Sequence, residues 1–473
     1  MSRYAVAAWE MRLIERKAFD QGVPPLLVME NAARETANAA LRMLSEKENK
    51  RALFLCGPGN NGGDGLAAAR LFQQAGGKAA VYLPAEPQTP NAIENFAYAR
   101  YLGIPILHTL PSPVLFDLIV DALLGIGFTR APEDEILSAI DWANTAHLPI
   151  LSVDMPSGMD ANSGAVPGVC IHATETITFH AVKLGLYLTA NLPYTGKVTV
   201  ADIGLQHEPI GIPYYTREDL PALLPPRSIN AHKGSCGRVL IYAGSKGKAG
   251  AAAMCALGAL KAGAGLVTIA CPDEIMPVLQ TLVPNAMCVS VEEAENISFD
   301  VLAAGCGIGQ SEKARNQLNL LIEKARMCVL DADALNLLAQ GAFPLPENTV
   351  LTPHPLECAR LLKCSLDEIL KNPLQSAKRL SQEYRCIALL KNAVSVIAQG
   401  NKTALNALPA PALAKGGSGD ALCGILAATL CEIVDPFESS RIAALRMSLA
   451  AQDAASQLGD RGVLTGEMLQ YLK

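Results

Sequence analysis

One stretch of the sequence places a carboxylate beside a potential anion site. Residues Gly416 to Asp420 include three glycines, and the apolar run that follows them predicts a helix. Glycines let neighbouring backbone N–H groups turn toward one point, and the N-terminus of a helix adds partial positive charge there. Such a cradle favours a phosphate. Because a carboxylate repels phosphate, Asp420 makes sense as a base that activates a hydroxyl group facing the cradle.

A purely structural role for the same residues is also open. A glycine-rich connection followed by an aspartate that caps a helix would have this sequence, and such short patterns occur often. The choice between a base and a cap depends on what the rest of the chain supplies.

A second set of polar residues lies in loops of the N-terminal half. Asn61 belongs to a glycine-rich loop after a predicted strand, and Asp121 and Ser157 lie at or just after the ends of two further predicted strands. Because ligands of open parallel sheets bind at the carboxyl edge, we expect these three loops to converge. One carboxylate with neutral oxygens suits a hard cation, although each residue singly could equally form a turn or a cap.

The same glycine-rich loop satisfies the dinucleotide fingerprint, with Gly57, Gly59 and Gly62 at the required spacing. The match is weak on its own, because glycine-rich loops often produce it. The polar side chains of Asn61 and Asp64 crowd a loop in which a Rossmann dinucleotide site needs bare backbone. The sequence therefore favours a different ligand geometry here.

Composition limits the fold and the class of function. Of the 473 residues, 50% are hydrophobic, 18% charged and 5% aromatic, which predicts more than one domain, with helices packed closely on parallel sheets. The net charge of −6, without a basic block, argues against nucleic acid. Thirteen scattered cysteines without a C-x-x-C pair indicate a reducing, cytoplasmic location. The most apolar stretch, 249–271, contains Lys261 and several glycines, so no membrane span is predicted.

Hydrophobic periodicity predicts two successive α/β series. Helices are predicted over 5–21, 25–44, 66–74 and 249–262, and residues 220–233, with two adjacent prolines and no periodicity, separate the series. The predicted strands are Arg51–Cys56, Ala79–Leu83, Asp117–Leu123, Pro149–Asp154 and Lys197–Ala201, then Arg238–Ala243, Leu266–Cys271, Val301–Ala304, Cys328–Ala332, Thr349–Leu351 and Cys386–Leu390.

The first series resembles the epimerase domain of the NAD(P)H-hydrate repair enzymes. The resemblance covers residues 1–215 and rests on segments 60–65, 121–127 and 153–158. It implies a Rossmann-like three-layer α/β/α domain with Asp154 at the reacting nicotinamide ring, where a buried carboxylate could loosen and re-deliver a hydroxyl group. It also implies potassium bound by Asn61, Asp121 and Ser157, and a hydrated dinucleotide bound by Asn60, Asn61, Gly62, Gly63, Asp64, Gly125, Ile126, Gly127, Phe128, Thr129, Arg130, Ala131 and Asp154.

The second series is similar to the ADP-dependent NAD(P)H-hydrate dehydratase domain, a ribokinase-like α/β fold, over residues 222–473. The resemblance rests on the order of segments 232–237, 244–251, 305–309, 331–335, 352–355, 391–395 and 416–420. It implies that the catalytic base is Asp420 and that the hydrate contacts Ala251, Gly309, His354 and Asp420. It implies that the adenine nucleotide contacts Lys391, Asn392, Ala393, Val394, Ser395, Gly417, Ser418 and Gly419, although Asn392 and Ser395 stand where the family usually has Gly and Thr.

The two resemblances together imply a bifunctional enzyme of metabolite repair. Its first half would interconvert R- and S-NAD(P)H hydrates, and its second would dehydrate the S form to NAD(P)H while ADP becomes AMP and phosphate. The implied co-substrate is ADP, and the implied ions are K⁺ and, with the nucleotide, Mg²⁺. We expect small-molecule partners, no nucleic acid or membrane partner, and a homo-oligomer. The size of that oligomer and the preference between NADH and NADPH hydrates are left open.

Two other functions were weighed against this one. A ribokinase-like kinase that phosphorylates a small molecule with ATP explains Asp420 but leaves a dinucleotide-binding first half without a task. A non-catalytic nucleotide-sensing module explains the glycine loops but not a carboxylate at a phosphate site. His354, between two prolines, could be a rigid loop residue, and Asp331 and Asp333 at a strand end could be turn formers, so neither aspartate is assigned to a metal.

Overall fold

The chain divides into two compact units, which are described separately. The computed structural model describes residues 3–188, 192–206, 208–224, 226–341 and 343–473. The first unit spans Arg3–Ile212, and the second runs from Pro213 to Lys473. Among the described helices, none combines the length and the apolar character that crossing a membrane requires.

The first unit is a parallel sheet with helices packed on it. Its strands are β1 (Arg3–Val6), β2 (Arg51–Cys56), β3 (Lys78–Tyr82), β4 (Ile106–Leu107), β5 (Leu118–Ala122), β6 (Ile150–Val153), β7 (Glu175–Phe179), β8 (Val182–Lys183) and β9 (Lys197–Ala201). Its helices are α1 (Ala8–Asp20), α2 (Pro25–Met43), α3 (Asn60–Gln74), α4 (Pro90–Tyr101), α5 (Asp134–Thr145), α6 (Leu184–Leu188) and α7 (Leu192–Thr195). A short strand, β10 (Ile212–Tyr214), spans the boundary of the units.

Seven strands of the first unit form one sheet in the order β4-β3-β2-β5-β6-β7-β9, and all of them run parallel. The central strand β2 is buried on both faces, which explains its unbroken apolar sequence. Strand β1 pairs with β8 in parallel. The carboxyl ends of β2, β5 and β6 are neighbours, so the loops that follow them meet at one edge.

The second unit has a larger sheet. Its strands are β11 (Arg238–Tyr242), β12 (Leu266–Ala270), β13 (Met287–Val289), β14 (Val301–Ala304), β15 (Met327–Leu330), β16 (Asn348–Leu351), β17 (Ile387–Leu390), β18 (Ser395–Gln399) and β19 (Lys402–Asn406). Its helices are α8 (Leu220–Leu223), α9 (Ala249–Ala262), α10 (Met276–Leu282), α11 (Glu312–Lys324), α12 (Asp333–Gln340), α13 (Pro355–Leu362), α14 (Leu366–Lys371), α15 (Pro373–Tyr384), α16 (Ser418–Glu432), α17 (Pro436–Leu458) and α18 (Thr465–Met468).

The sheet of the second unit has the order β13-β12-β11-β14-β15-β16-β17-β18-β19. Strands β11 to β17 run parallel, whereas β18 and β19 are antiparallel to their neighbours. Helices α9 and α16 pack on each other at glycines. A Cβ added at Gly424 would lie 1.9 Å from the carbonyl oxygen of Cys255, and one added at Gly258 would lie 2.4 Å from that of Ala421. This close approach fixes the position of the first turn of α16.

The predicted strands all occur, with ends shifted by a residue or two, and the helix predicted over 249–262 is α9. The prediction that residues 57–65 form a loop was wrong in its second half, because α3 already begins at Asn60. Strands β1, β4, β7, β8, β10, β13, β18 and β19 were not predicted. Several are only two to four residues long, too short for a periodic signal. The separating segment 220–233 lies within the second unit, since the units divide after Ile212.

Candidate active sites

The first candidate site contains a carboxylate that the protein surrounds with hydrogen-bond donors. Asp121, near the end of β5, is fully buried. One carboxylate oxygen accepts hydrogen bonds from the hydroxyl of Ser152 at 2.8 Å and the backbone N–H of Ser157 at 2.9 Å, and the other accepts from the Ser157 hydroxyl at 2.5 Å. Burial raises the pKa of Asp121, and the hydrogen bonds oppose that rise.

The main chain of Leu124 links Asn61 to Ser157, which itself hydrogen-bonds to Asp121. The side-chain amide of Asn61 donates to the carbonyl of Leu124 at 3.0 Å, and the backbone N–H of Leu124 donates to the Ser157 hydroxyl at 2.9 Å. The structure therefore brings the three predicted loops together. Within the described residues, no Lys or Arg forms an ion pair with Asp121. A buried carboxylate with neutral oxygens around it and no basic partner fits a monovalent cation.

A cavity of about 840 Å³ opens beside these loops. That volume is within the range of small-molecule sites. Most of the predicted dinucleotide-binding residues line it, namely Asn60, Asn61, Asp64, Gly125, Ile126, Gly127, Phe128, Arg130, Ala131 and Asp154.

Gly62, Gly63 and Thr129 are not among the residues lining this cavity. A Cβ added at Gly62 would lie 1.8 Å from the carbonyl oxygen of Gly57, and one added at Gly63 would lie 2.9 Å from the side chain of Met29. Both glycines therefore let the first turn of α3 pack closely against its surroundings. Their small size serves packing, and their role as binding residues, through backbone groups, stays a prediction.

Asp154 lies in the cavity wall and is held by an ion pair. Its carboxylate is 2.5 Å from the ammonium of Lys183 and accepts a hydrogen bond from the Thr178 hydroxyl at 3.1 Å. Lys183, only 1% exposed, also donates to Thr178 and to the carbonyl of Phe179, each at 3.0 Å. Asp154 has a positive φ of 66°, a region that few non-glycine residues occupy. The fold therefore fixes this carboxylate tightly.

Two further carboxyl groups face the same cavity. Burial, together with the neighbouring charges of Asp154 and Glu15, holds the pKa of Asp64 well above its usual range. Burial and the charge of Asp154 also raise the pKa of Glu15 on α1. The cavity thus combines an ion-paired aspartate with carboxyl groups that favour the protonated form, an arrangement typical of acid–base chemistry.

The sequence analysis missed Glu15, Thr178 and Lys183. Glu15 was read only as part of an amphipathic helix, and Lys183 belongs to a two-residue strand that was not predicted. One signal was available for Lys183: a lysine inside the apolar run from Ala181 to Leu184 needs a buried partner.

The second candidate site is the glycine-rich stretch at the start of α16. Gly417 has a φ of +92°, a conformation that favours glycine, and α16 begins at Ser418. Asp420 lies in the first turn, half-buried, and a carboxylate oxygen of Asp420 lies within 4.8 Å of the Cys306 sulfur. Burial, and next the charge of Asp331, raise the pKa of Asp420. No backbone N–H in the described chain is recorded as donating to this carboxylate, so a capping role is not what holds it.

Gly419 lies against an ion pair. The ammonium of Lys391 is 2.6 Å from a carboxylate oxygen of Asp331. A Cβ added at Gly419 would lie 3.2 Å from the other oxygen of Asp331 and 3.3 Å from the Lys391 nitrogen. The structure therefore joins two predicted nucleotide-binding residues through Asp331, which the sequence analysis left as a turn former.

Asp333 has a comparable role on the neighbouring loop. Its carboxylate accepts hydrogen bonds from the backbone N–H of Gly309 at 2.9 Å and from Lys248 at 3.3 Å. Ala251 lies close by, since a Cβ added at Gly307 would be 3.3 Å from its methyl group. The predicted hydrate contacts Gly309 and Ala251 therefore belong to one group of loops. Ala332, between the two aspartates, has a φ of +48°, a region that few non-glycine residues occupy.

His354 caps a helix. Its Nδ1 accepts from the backbone N–H groups of Leu356 and Glu357 at the start of α13, and its own backbone N–H donates to the Glu357 carboxylate at 2.8 Å. Burial, and next the charge of Lys391, lower the pKa of His354. The alternative of a structural loop residue is thus correct for Nδ1, while the exposed ring is still available to a ligand.

The predicted nucleotide segment 391–395 is the turn between β17 and β18. The backbone N–H of Lys391 donates to the carbonyl of Pro353 at 2.8 Å, which ties this turn to the loop before α13. Asn392 accepts from the backbone N–H of Ala393 at 2.9 Å. Val394 and Ser418 are buried, so a ligand would meet mainly their backbone.

Family models match both units. Residues 26–185 match the model described as YjeF-related protein N-terminus. Residues 239–473 match the model described as NAD(P)H-hydrate dehydratase. Each model therefore covers one of the candidate sites.

Relatives and solved structures extend these matches. The bifunctional NAD(P)H-hydrate repair enzyme Nnr of Moorella thermoacetica is 34% identical, over 99% of this chain and 96% of its own. The ADP/ATP-dependent NAD(P)H-hydrate dehydratase of Bacillus subtilis, co-crystallised with ATP/Mg²⁺, is 29% identical with a TM-score of 0.52, over 56% of this chain and 97% of its own. A ribokinase-like superfamily protein of Enterococcus faecalis is 28% identical with a TM-score of 0.52, over 56% of this chain and 96% of its own. The predicted Rossmann-like and ribokinase-like α/β units are thereby confirmed, and the chain belongs to the family of bifunctional NAD(P)H-hydrate repair enzymes.

Proposed function

We propose that the chain repairs hydrated NADH and NADPH in two steps, carried out at two separate sites. The first unit epimerises the R and S hydrates, and the second dehydrates the S form with ADP as co-substrate. The observation that carries the proposal is the pairing, in one family member, of a cavity containing Asp154 with a glycine-rich helix start containing Asp420. A kinase with one substrate would need only the second of these.

Epimerisation at the first site requires that the hydroxyl on the ring carbon leave and return on the other face. The lone pair of the adjacent ring nitrogen pushes the hydroxyl out as water, and a protonated carboxyl group supplies the proton. Asp64 suits that acid role because burial and the neighbouring charge of Asp154 raise its pKa well above its usual range. Asp154, held by Lys183, would orient the hydroxyl and accept the proton when water adds back, and this proton would return to Asp64 to complete the cycle.

The loops of Asn61, Asp121 and Ser157 would hold potassium in this unit. The ion would supply a positive charge beside the buried Asp121, which has no basic partner in the described chain. The donor atoms would be the oxygens of these three side chains and the carbonyl of Leu124, which accepts a hydrogen bond from the Asn61 amide. The hydrogen bonds of Asn61 and Ser157 to Leu124 also hold the start of the loop whose next residues, from Gly125, line the cavity.

Dehydration at the second site begins with phosphoryl transfer. Asp420 takes the proton of the hydrate hydroxyl as its oxygen attacks the terminal phosphoryl group of ADP, and AMP leaves. The backbone N–H groups of Gly417 to Gly419 stabilise charge on the phosphoryl oxygens. The ring nitrogen then expels phosphate, and loss of a proton from the neighbouring carbon gives the double bond of NAD(P)H.

The nucleotide would lie between the turn 391–395 and the start of α16. Gly419 borders Lys391, whose ammonium already neutralises Asp331, so a nucleotide phosphate here would meet a compensated carboxylate. Mg²⁺ would arrive bound to the phosphates and spread their charge. The use of ADP follows from the proposed chemistry, in which AMP is the leaving group.

The oligomeric state, the cellular location and the assignment of each activity to a domain stay predictions. The homo-oligomer can be measured by light scattering coupled to gel filtration, and the cytoplasmic location by cell fractionation. The assignment of activities to domains 1–215 and 222–473 is tested by site-specific variants in the full chain.

The direct test of the function is an assay with both hydrate epimers. The purified chain is incubated with a mixture of R- and S-NADH hydrate and ADP, and the absorbance of reduced nicotinamide is followed. We expect full recovery of NADH with equimolar AMP and phosphate. A chain that leaves both hydrates unchanged, or that only phosphorylates another small molecule with ATP, would contradict the proposal.

A further inference from the structure

Three cysteine side chains from three different elements converge in the second unit. Cys255 lies on α9, Cys306 follows β14, and Cys423 lies on α16. Their sulfur atoms all lie within 4.8 Å of one another. Each of the three residues is at most 1% exposed. We call this group the cysteine cluster.

The cluster is not explained by packing alone. The sequence analysis interpreted the cysteines as buried small hydrophobes, and that interpretation suits Cys328, whose only recorded polar neighbour is Thr349. Alanine, abundant in α9 and α16, would pack equally well where the two helices touch. Three sulfur atoms gathered from three separate elements are instead a set of soft donor atoms.

One side of the cluster opens onto the proposed dehydratase site. Cys306 also belongs to a second group in which its sulfur and the carboxylates of Asp331 and Asp420 lie within 4.8 Å of one another. Asp420 is only half-buried. An ion entering beside Asp420 would therefore reach Cys306 first and the other two sulfurs next.

The donor set has the chemistry of a thiophilic metal site. Zn²⁺ and its heavier relative Cd²⁺ bind cysteine sulfur, with about 2.3 Å between zinc and sulfur, and accept a carboxylate oxygen as a fourth ligand. Sulfur atoms around a tetrahedral zinc ion are therefore about 4 Å apart, which is compatible with the 4.8 Å limit found here. Soft sulfur ligands exclude Mg²⁺ and Ca²⁺ from this position.

We propose that Cys255, Cys306 and Cys423 form a site for a zinc-class cation whose fourth position faces Asp420, and that filling it switches the dehydratase off. Each metal–sulfur bond replaces an S–H bond and releases its proton to solvent. The cation would bind or electrostatically hold the Asp420 carboxylate, which then cannot accept the proton of the hydrate. The inhibition rests on the proposed role of Asp420, whereas the binding does not.

The experiment uses Cd²⁺ alone as probe and the reduced full-length chain. One equivalent of Cd²⁺ is added while the ultraviolet thiolate-to-metal charge-transfer band is recorded, and dehydration of S-NADH hydrate is measured on the same samples. The variants Cys306→Ala and Cys423→Ala each remove one member of the cluster. The matched control is Cys328→Ala, which removes a buried thiol outside it.

We expect the wild type and Cys328→Ala to show the band and to lose dehydration at least tenfold relative to their metal-free rates. A chelator should restore the rate. Each cluster variant should lose at least a third of the band and should keep its own metal-free rate when Cd²⁺ is present. These losses follow from the removal of one of three ligands.

Three outcomes would overturn the proposal. The wild type could show no band, or both cluster variants could show the full band, which would place Cd²⁺ at other thiols. A full band without inhibition would refute the action on Asp420 while leaving dehydratase activity itself intact. Thermal unfolding checks each variant, and if Cys423→Ala does not fold, Cys306→Ala, which lies on a loop, decides the question.

Discussion

Each candidate site contains a Lys–Asp ion pair, but only in the first site is the paired aspartate the proposed catalytic one. In the first unit, Lys183 pairs directly with Asp154, the carboxylate that faces the cavity. In the second, Lys391 pairs with Asp331, and Asp420 forms no ion pair with any of the described residues. Asp420 therefore lacks a cationic partner, whereas Asp154 is held in place by one. The difference matches the tasks, because dehydration needs a mobile proton acceptor and epimerisation needs a precisely held hydroxyl.

The largest expected effect is on Asp420. Asp420→Asn keeps the shape of the side chain and removes the base, which typically costs about 10²–10⁴-fold in rate. ADP affinity should hold or increase, because a negative charge near the phosphates is gone. Steady-state dehydration of S hydrate and equilibrium ADP binding are measured on the same preparation. Near-normal turnover, or a parallel loss of turnover and ADP affinity, would mean that Asp420 only shapes the cradle.

The next effect concerns Lys183. Lys183→Met leaves the buried Asp154 carboxylate without its partner, so we expect epimerisation to fall by about 10²-fold and the first unit to lose about 3–5 kcal/mol of stability. Dehydration should not change. Stereochemically resolved rates and chemical denaturation measure both quantities.

The double variant Lys183→Met/Asp154→Asn is the control for the stability of this pair. It removes both charges and should recover part of the lost free energy of unfolding, although not the activity. If the single variant is as stable and as active as the wild type, the ion pair has no role in the first site.

A smaller effect is expected at Asp121. Asp121→Asn keeps most of the shape but removes the negative charge that a monovalent cation would balance. The potassium concentration for half-maximal epimerisation should rise at least about tenfold. Dehydration in the same samples is the internal control. Epimerisation that is independent of potassium in the wild type would refute the cation site.

The smallest expected effect is a change in how the stability of the second unit depends on pH, and it comes from the buried Glu357. Burial raises the pKa of Glu357 from 4.5 to about 7. Between these values the unfolded chain is ionised while the folded chain holds a proton, so ionisation of Glu357 lowers stability as pH rises from 4.5 to 7, by at most about 3 kcal/mol.

Glu357→Gln removes this dependence while its amide oxygen can still accept the hydrogen bond from the backbone N–H of His354. We expect the variant and the wild type to be similarly stable at pH 5, and the variant to be more stable at pH 8. Urea unfolding at both pH values measures this. If the stability of the variant relative to the wild type falls from pH 5 to pH 8, the predicted direction of the pH dependence is wrong.

Much of the fold was predictable because its strands are buried on both faces. Strands such as β2 and β14 read as unbroken apolar runs and were placed correctly. The start of α16 was also predictable, since three glycines before an apolar helix allow few alternatives. The convergence of Asn61, Asp121 and Ser157 followed from the rule that parallel strands share a carboxyl edge.

The residues that were missed depend on contacts between distant parts of the chain. Lys183 and Asp154 are 29 positions apart, and Asp331 and Lys391 are 60 apart, so no local spacing reveals either pair. Glycines can also have a packing role that the sequence does not show. Gly62 and Gly63 resemble ligand-binding glycines in sequence, but only the structure shows the backbone and side-chain atoms that exclude a Cβ there.

The central claim is that two separate sites in one chain carry out epimerisation and dehydration. The most direct measurement is the time course of R- and S-NADH hydrate, resolved by chromatography, for the wild type, Asp154→Asn and Asp420→Asn, each with ADP. We predict that the wild type consumes both epimers, that Asp154→Asn consumes S and leaves R at the enzyme-free rate, and that Asp420→Asn interconverts the epimers without consuming them. Consumption of R by Asp154→Asn as fast as by the wild type would contradict the account.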